Sequence, residues 1–315
     1  MRVSGLMCVW NCVEFVEQAI LGIIDKVDEL VVVDGSWNLD NKKGSTDGTE
    51  EKIKKLAKQF DKKIFFLQYT PTHPEEYQHY YNDEHKEHVL GHFNKHKNPF
   101  YKPGRLSQQQ LGRDFGLNFI RSRYCDDPDG HWLLIVDSDE FYPEWQFVNG
   151  KTFHDIIEES VADATKVAFH EPTLLAIEAM NFYFDSRHFA NERFNRIFRL
   201  RRDSWFVDSN TITGCMDYRY NIPKIQCMFF HYSYIGSAFR MESKLDRWDD
   251  SIVKPWIERV YNEPNFYQKM RNNGGGIHLL GSVHPGYRRY MLMEYGGEHP
   301  ALASLALGKI VNENT

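Results

Sequence analysis

A chain of 315 residues that is 42% hydrophobic and 15% aromatic is too apolar for disorder and long enough to bury a substantial core, as one large domain or one domain with a C-terminal elaboration. Its formal charge of -6 argues against a generally basic nucleic-acid binder and leaves an anionic substrate in need of a local cation or helix N-termini. Five scattered cysteines without CxxC spacing argue against a disulfide framework or zinc knuckle, and no apolar run approaches the roughly 20 residues of a membrane-spanning helix, so the expectation is a reduced, cytoplasmic protein with peripheral membrane contact left open.

Val3 to Trp10 reads as a first strand, and the apolar spacing from Val13 to Ile24 as a helix. Residues 5 to 10 are too short an apolar run for a secretory leader. Glu29 to Asp34 is a second buried strand; Glu50 and Glu51 early and Lys52, Lys54, Lys55 and Lys58 later suit the dipole of a helix opening near Thr49. Ile64 to Tyr69 is a third strand. This βαβαβ order predicts a parallel, doubly wound sheet with right-handed crossovers.

Residues 70 to 104 break the alternation with six histidines and four prolines. His88, His92 and His96 would share one helix face and could bind a transition metal, while a polar acceptor-binding loop is the blander reading. A helix is predicted from Leu106 to Arg123, another from Phe153 to Val161, and a strand at Lys166 to Phe169. Residues 171 to 230 are β-rich in short pieces (FNRIFRL, SWFVD, IQCMFFHYSY), and helices and loops dominate from Ser237 onward.

The sharpest chemical signal lies between them. Trp132 to Val136 forms an apolar run, read as a strand buried on both faces, which stops at Asp137-Ser138-Asp139-Glu140. On an extended backbone Asp137 and Asp139 point the same way and could share one Mg²⁺ or Mn²⁺ ion, at the strand ends where open α/β sheets bind ligands. An acidic turn would look alike.

In order, Val9-Trp10-Asn11 with Glu14 following, Val33-Asp34-Gly35-Ser36, Ser45-Thr46-Asp47-Gly48-Thr49 and Asp137-Ser138-Asp139 resemble the family-two glycosyltransferases of the GT-A fold over about the first 145 residues. Here Trp37 to Gly44 splits a motif that the family runs together. Arg113-Asp114-Phe115-Gly116-Leu117 is similar to the family's A-R-N-x-G helix, with Asp114 in place of asparagine. Further on, Asp139-Glu140, Arg196-Ile197-Phe198-Arg199, His231-Tyr232-Ser233-Tyr234 and Lys244 look like the lipopolysaccharide-core β-glucosyltransferase branch, except that Val207-Asp208-Ser209 replaces its V-H-E.

The resemblance implies an α/β GT-A (Rossmann-like) fold, with a mostly parallel sheet flanked by helices and a β-rich and helical C-terminal elaboration. Residues 1–145 would be the nucleotide-sugar half, interrupted by 70–104, residues 146–245 the acceptor half and 246–315 an extension. It implies a metal-dependent, inverting transfer from a nucleoside-diphosphate sugar, UDP-linked by family habit, to an acceptor hydroxyl. Asp139 is then the direct metal ligand, Asp137 binds metal or ribose, and His231 is a further ligand suited to Mn²⁺ or else a core histidine. Val9, Trp10, Asn11 and Ser138 would line the donor site. Asp34 would accept from uracil or ribose, or cap a turn; Asp47 would be ligand or turn residue, and Arg113 a phosphate contact or a solvated charge.

The general base would be Asp208, with Glu140, Glu178 and Glu192 as competitors. Lys244, Arg288 and Arg289 would close over the diphosphate, with Gly274 to Gly276 as the hinge. A nucleotidyltransferase is the rival enzyme, though Trp10-Asn11-Cys12-Val13-Glu14 lacks the Gly-rich loop it would want; a non-catalytic sugar-binding descendant is the rival without turnover. The acceptor stays open among glycan, lipid-linked saccharide, protein and modified nucleic-acid base.

Overall fold

The apolar periodicity of the first 70 residues becomes β1 (Arg2–Val9), α1 (Val16–Ile23), β2 (Glu29–Asp34), α2 (Thr49–Gln59) and β3 (Ile64–Gln68) in a computed structural model of the chain. It describes residues 1–36, 38–39, 43–95, 105–124, 130–168, 172–183, 188–207, 211–213, 215, 224–235, 237, 240–242 and 293–313. α3 (Asp83–Lys95) and α4 (Arg105–Arg123) lead to β4 (His131–Asp137) and the short β5 (Glu140–Phe141). α5 (Phe153–Ala168) and three long strands come next, β6 (Leu174–Tyr183), β7 (His188–Arg199) and β8 (Lys224–Tyr234), then β9 (Met293–Glu294) and a last helix, α6 (Ala301–Glu313).

One sheet joins the strands in the order β3-β2-β1-β4-β7-β6-β8-β5, with β9 on β7. β1 lies parallel to β2 and β4, and β2 parallel to β3; β7 runs antiparallel to β4 and β6, and β5 antiparallel to β8. The architecture is mixed α/β, a sheet flanked by helices, as expected. The chain lays β2 and β3 on one side of β1 and then crosses to β4 on the other. That reversal makes the C-terminal ends of β1 and β4 a topological switch point, the place where doubly wound sheets bind ligands.

Period-two alternation sends each central strand to both faces. Val3, Met7, Val9, Leu30, Val32, Leu134 and Val136 join one core cluster with α1, α5 and α6; Leu6, Cys8, Val31, Val33, Leu133 and Ile135 join the other with α4. Each fully buried aliphatic side chain contributes about 1.5–3 kcal/mol. α4 comes close because Gly116 faces the sheet: a Cβ there would meet Leu6 Cδ1 at 2.4 Å and Val33 Cγ2 at 2.8 Å. Residue 137 falls in the series of Leu133 and Ile135, so the last side chain of β4 faces α4.

Three expectations change. Lys166 belongs to α5, which continues to Ala168 instead of giving way to a strand; no Gly or Pro interrupts it, and lysine and alanine are good helix formers. Of SWFVD, residues 204–207 are described, and they hold an isolated bridge, Phe206 with Ile212, in place of a strand. The histidine-rich excursion holds α3, a helix rather than a loop alone. Among the described residues no helix is long and apolar enough to cross a membrane.

Candidate metal and donor site

The two halves of the split motif are reunited in space. Ser45 gives its backbone N–H (2.9 Å) and its hydroxyl (2.6 Å) to the Asp34 carboxylate at the end of β2, and the same hydroxyl accepts from Asn11 N at 2.8 Å. Asn11 Oδ1 accepts from Thr46 N, Asp47 from Val13 N, Thr49 N and the Thr49 hydroxyl, and Thr49 from Cys12 N. Asp47 is thereby a turn residue that ties the loop after β1 to the start of α2. Gly44 sits on Asp34, since a Cβ there would lie 2.6 Å from Oδ2. Asp34 is fully buried, burial pushes its carboxyl upward, and the Ser45 bonds oppose that shift. Its partners are those of a cap. Trp10, just past β1, carries a buried indole Nε1 without a hydrogen-bond partner.

Across β1, register sets Val9 against Asp34 and Cys8 against Asp137, so the two acids flank the end of β1 on neighbouring strands, about 10 Å apart by strand spacing. Arg113, on the sheet-facing side of α4 and 2% exposed, donates from Nη2 to Asp137 Oδ1 at 3.0 Å. It is no solvated charge. Arg196 donates from β7 to Asp137 Oδ2 at 2.8 Å and also to Glu140 Oε1. Glu140 Oε2 accepts from the Asp137 backbone N–H at 3.2 Å.

These neighbours push two adjacent carboxyls in opposite directions. Burial alone would raise Asp137, but the guanidiniums of Arg196 and Arg113 outweigh it and hold that carboxyl at about 2. Burial pushes Glu140 up to about 7, against the pull of Arg196.

Asp139 lies elsewhere in the cluster. β4 stops at Asp137 and Ser138-Asp139 turn, so the extended-strand rule that would have aligned Asp137 with Asp139 does not operate. Asp139 Oδ2 pairs with Arg240 Nη2 at 2.6 Å. Glu14 holds that arginine's turn in place: its carboxylate accepts from the Ser237 N–H and hydroxyl, and Ser237 Oγ accepts from Arg240 N. Three carboxylates thus meet three guanidiniums in a balanced cluster that is buried except at Asp137, whose side chain is 27% exposed.

His231, opposite Glu140 in the β5–β8 pairing, is the exception. Its side chain is 7% exposed and Nε2 lies 3.3 Å from Asp139 Oδ1, yet neither ring nitrogen makes a hydrogen bond. Such an orphan is costly in a packed interior unless something completes it. Asp137, Glu140 and His231 can each offer one ligand atom, all within 4.8 Å of one another. Among the described residues this is a donor set of two carboxylate oxygens and one imidazole nitrogen, the kind that can hold a divalent metal ion.

The remaining candidates scatter. Val9 ends β1 and its carbonyl accepts from Gly35 N, while Ser138 lies in the turn that follows β4. Glu178 is exposed on β6, and Glu192 accepts from Asn181 at 2.9 Å. Asp208, Lys244, Arg288, Arg289 and Gly274 to Gly276 lie outside the described residues. His88 Nε2 lies 2.7 Å from Val207 O, a contact that only the N–H tautomer satisfies, and the ring packs on Trp205; that nitrogen is engaged, and the His92 side chain and His96 are not described. Asp114, the departure from the family's asparagine, pairs with His85 at 3.0 Å and accepts from Phe206 N at 2.9 Å, fastening α3 and the segment before residue 208 onto α4. Arg196, Arg240 and Glu14 carried no assigned role from sequence.

No family model matches the chain, and no curated protein does. One similar solved structure is glucosyl-3-phosphoglycerate synthase from Mycobacterium tuberculosis in complex with Mn²⁺, uridine diphosphate and phosphoglyceric acid, at 17% identity and a TM-score of 0.25. The match covers 58% of this chain and 43% of that one, so this chain spans less than half of that structure's length, and a likeness this slight carries no functional argument.

Proposed function

We propose that the protein is a metal-assisted, inverting glycosyltransferase that moves a sugar from a nucleoside-diphosphate sugar, UDP-linked by the family resemblance, to an acceptor hydroxyl. The observation that carries this reading is the unpartnered, buried His231 beside Asp137 and Glu140 at the switch point of the sheet. A divalent ion bound there would neutralise the charge that develops on a departing diphosphate.

In this reading Asp137, Glu140 and His231 hold the ion. Asp139 stays with Arg240 and shapes the pocket wall. Asp34 acts through Ser45 to hold the loop over the donor, and the unpartnered indole N–H of Trp10 serves a carbonyl of the base. Glu140, buried and bound to Arg196, is a ligand rather than the base; the base falls to Asp208, with Lys244 closing over the diphosphate. The resemblance to the lipopolysaccharide-core β-glucosyltransferase branch supports a transfer of the hexosyl type. We assign residues 1–145 to the donor half, 146–245 to the acceptor half and 246–315 to an extension.

The test is incubation with a panel of nucleoside-diphosphate sugars and Mn²⁺, following release of free nucleoside diphosphate. Slow release that EDTA abolishes supports the proposal. Pyrophosphate release instead would make the protein a nucleotidyltransferase, and binding without release would make it a non-catalytic sugar binder.

A further inference from the structure

Arg196 stands in a setting that its sequence context hides. It is 1% exposed on β7, with its guanidinium 5.0 Å from the Phe194 ring and 5.7 Å from the Phe229 ring, a desolvated cradle for a cation. A single nitrogen, Nη2, bridges Asp137 Oδ2 and Glu140 Oε1. These residues are two of the three that can meet on a metal; the third, His231, makes no hydrogen bond through either ring nitrogen. The other oxygens of the two carboxylates are also engaged, Asp137 Oδ1 by Arg113 and Glu140 Oε2 by the Asp137 backbone N–H. A positive centre therefore already bridges the carboxylates that a divalent ion would bridge.

We infer that Arg196 is a resident counter-cation of this group, with two consequences. It draws Asp137 and Glu140 together before any ion arrives, as a positioning residue that touches carboxylates and not substrate. It also competes with the ion for the same oxygens, so the affinity of the ligand-free protein for a divalent metal is set by how readily Nη2 yields. The physical basis is like-charge repulsion in a buried site, where a guanidinium and a divalent ion a few ångströms apart interact far more strongly than in water. The inference rests on the metal reading above, and its failure is distinguishable from the failure of that reading.

The experiment is a titration of Mn²⁺ alone into full-length protein, reading the free aqueous Mn²⁺ signal by electron paramagnetic resonance, for wild type, Arg196→Met, Arg196→Gln and Arg196→Lys. The two neutral variants are expected to bind Mn²⁺ at least about tenfold more tightly than wild type, and the lysine variant, which keeps the charge, to stay within about threefold of it. Equal or weaker binding by folded neutral variants would overturn the inference while leaving the metal site standing. No Mn²⁺ binding by any of the proteins would overturn both. Should the neutral variants fail to fold, Mn²⁺-soaked wild-type crystals decide it: Nη2 is expected to release Asp137 or Glu140, and retention of both contacts beside bound Mn²⁺ overturns the competition.

Discussion

The two ends of the central strands each bury a cluster of polar side chains, and the clusters differ in how completely they are satisfied. At the N-terminal end Glu29 accepts from the Ser4 hydroxyl at 2.7 Å and the Tyr124 hydroxyl at 2.6 Å, with Arg123 at 3.5 Å and Arg2 at 3.8 Å; His131 Nε2 meets Ser4 Oγ at 2.8 Å. At the C-terminal end three carboxylates and three guanidiniums balance, yet His231 makes no hydrogen bond and Glu140 is pushed to about 7. Both clusters sit on the same scaffold, and each reaches solvent at one edge, through Arg2 and Arg123 at the first end and Asp137 at the second. The first network leaves Arg2 Nε buried without a partner but satisfies its carboxylate and its histidine, and so fastens strands together; the second, with an orphaned histidine beside displaced carboxyls, is poised for something the protein alone does not supply.

Substitutions at the two ends should therefore fail in different currencies. Largest is the loss of function at the C-terminal end: His231→Ala and Glu140→Gln are each expected to lower Mn²⁺-dependent nucleoside-diphosphate release by about 10²-fold or more, with melting temperature little changed for His231→Ala. Release that persists in both variants would show the orphan to be a packing accident. At the opposite end Glu29→Gln is expected to cost about 2–4 kcal/mol in denaturant unfolding while leaving Mn²⁺ and UDP affinity unchanged, because it leaves buried donors without their anionic acceptor. If both ends changed stability and neither changed binding, the contrast would dissolve.

The pH dependence of stability separates the ends further. Glu140 has a folded pKa above its unfolded value of about 4.5, so the metal-free fold holds that proton more tightly than the unfolded chain and loses stability as pH rises from about 4.5 to about 7. Asp137 has the opposite sign: its contribution is complete above the unfolded value of about 4 and is lost as pH falls toward about 2. Chemical unfolding of metal-free protein across this range should show the Glu140 decline, of order 1–3 kcal/mol, and Glu140→Gln should remove it.

Smallest is the effect of a methyl group. Gly44→Ala presses on Asp34 and is expected to weaken UDP binding several-fold, while Gly91→Ala, whose added Cβ meets nothing within 4 Å, should leave binding unchanged and raise helix stability slightly. Equal behaviour of the two would remove Asp34 and its loop from the donor site.

Much of the scaffold was legible because burial writes itself into apolar runs. Glu29–Asp34 was bounded from sequence alone, and β1, β3, β4 and α4 nearly so, since strands covered on both faces admit few polar residues. The split motif was also readable, because its two halves kept their chemistry and the fold had only to bring Ser45 back to Asp34. What the sequence could not say was which charges turn inward. Arg196 in FNRIFRL looks like an outward position of a half-buried strand, and only the β4–β7 pairing, with Leu134 against Ile197, brings it beside Asp137. The Asp137–Asp139 spacing does not translate into a shared strand face for a local reason, as the extended backbone ends between them. Arg240 and Glu14, 226 positions apart, are joined through Ser237, a link that no local pattern carries.

The central claim is that Asp137, Glu140 and His231 together grip a divalent ion at the C-terminal end of β4, beside β5 and β8. Anomalous diffraction at the manganese edge from crystals soaked with MnCl₂ and UDP tests it directly. The account predicts one strong peak in contact with all three side chains, with Arg240 still paired to Asp139. A peak held by Asp139 in place of Glu140, or no peak at the end of β4, would contradict it.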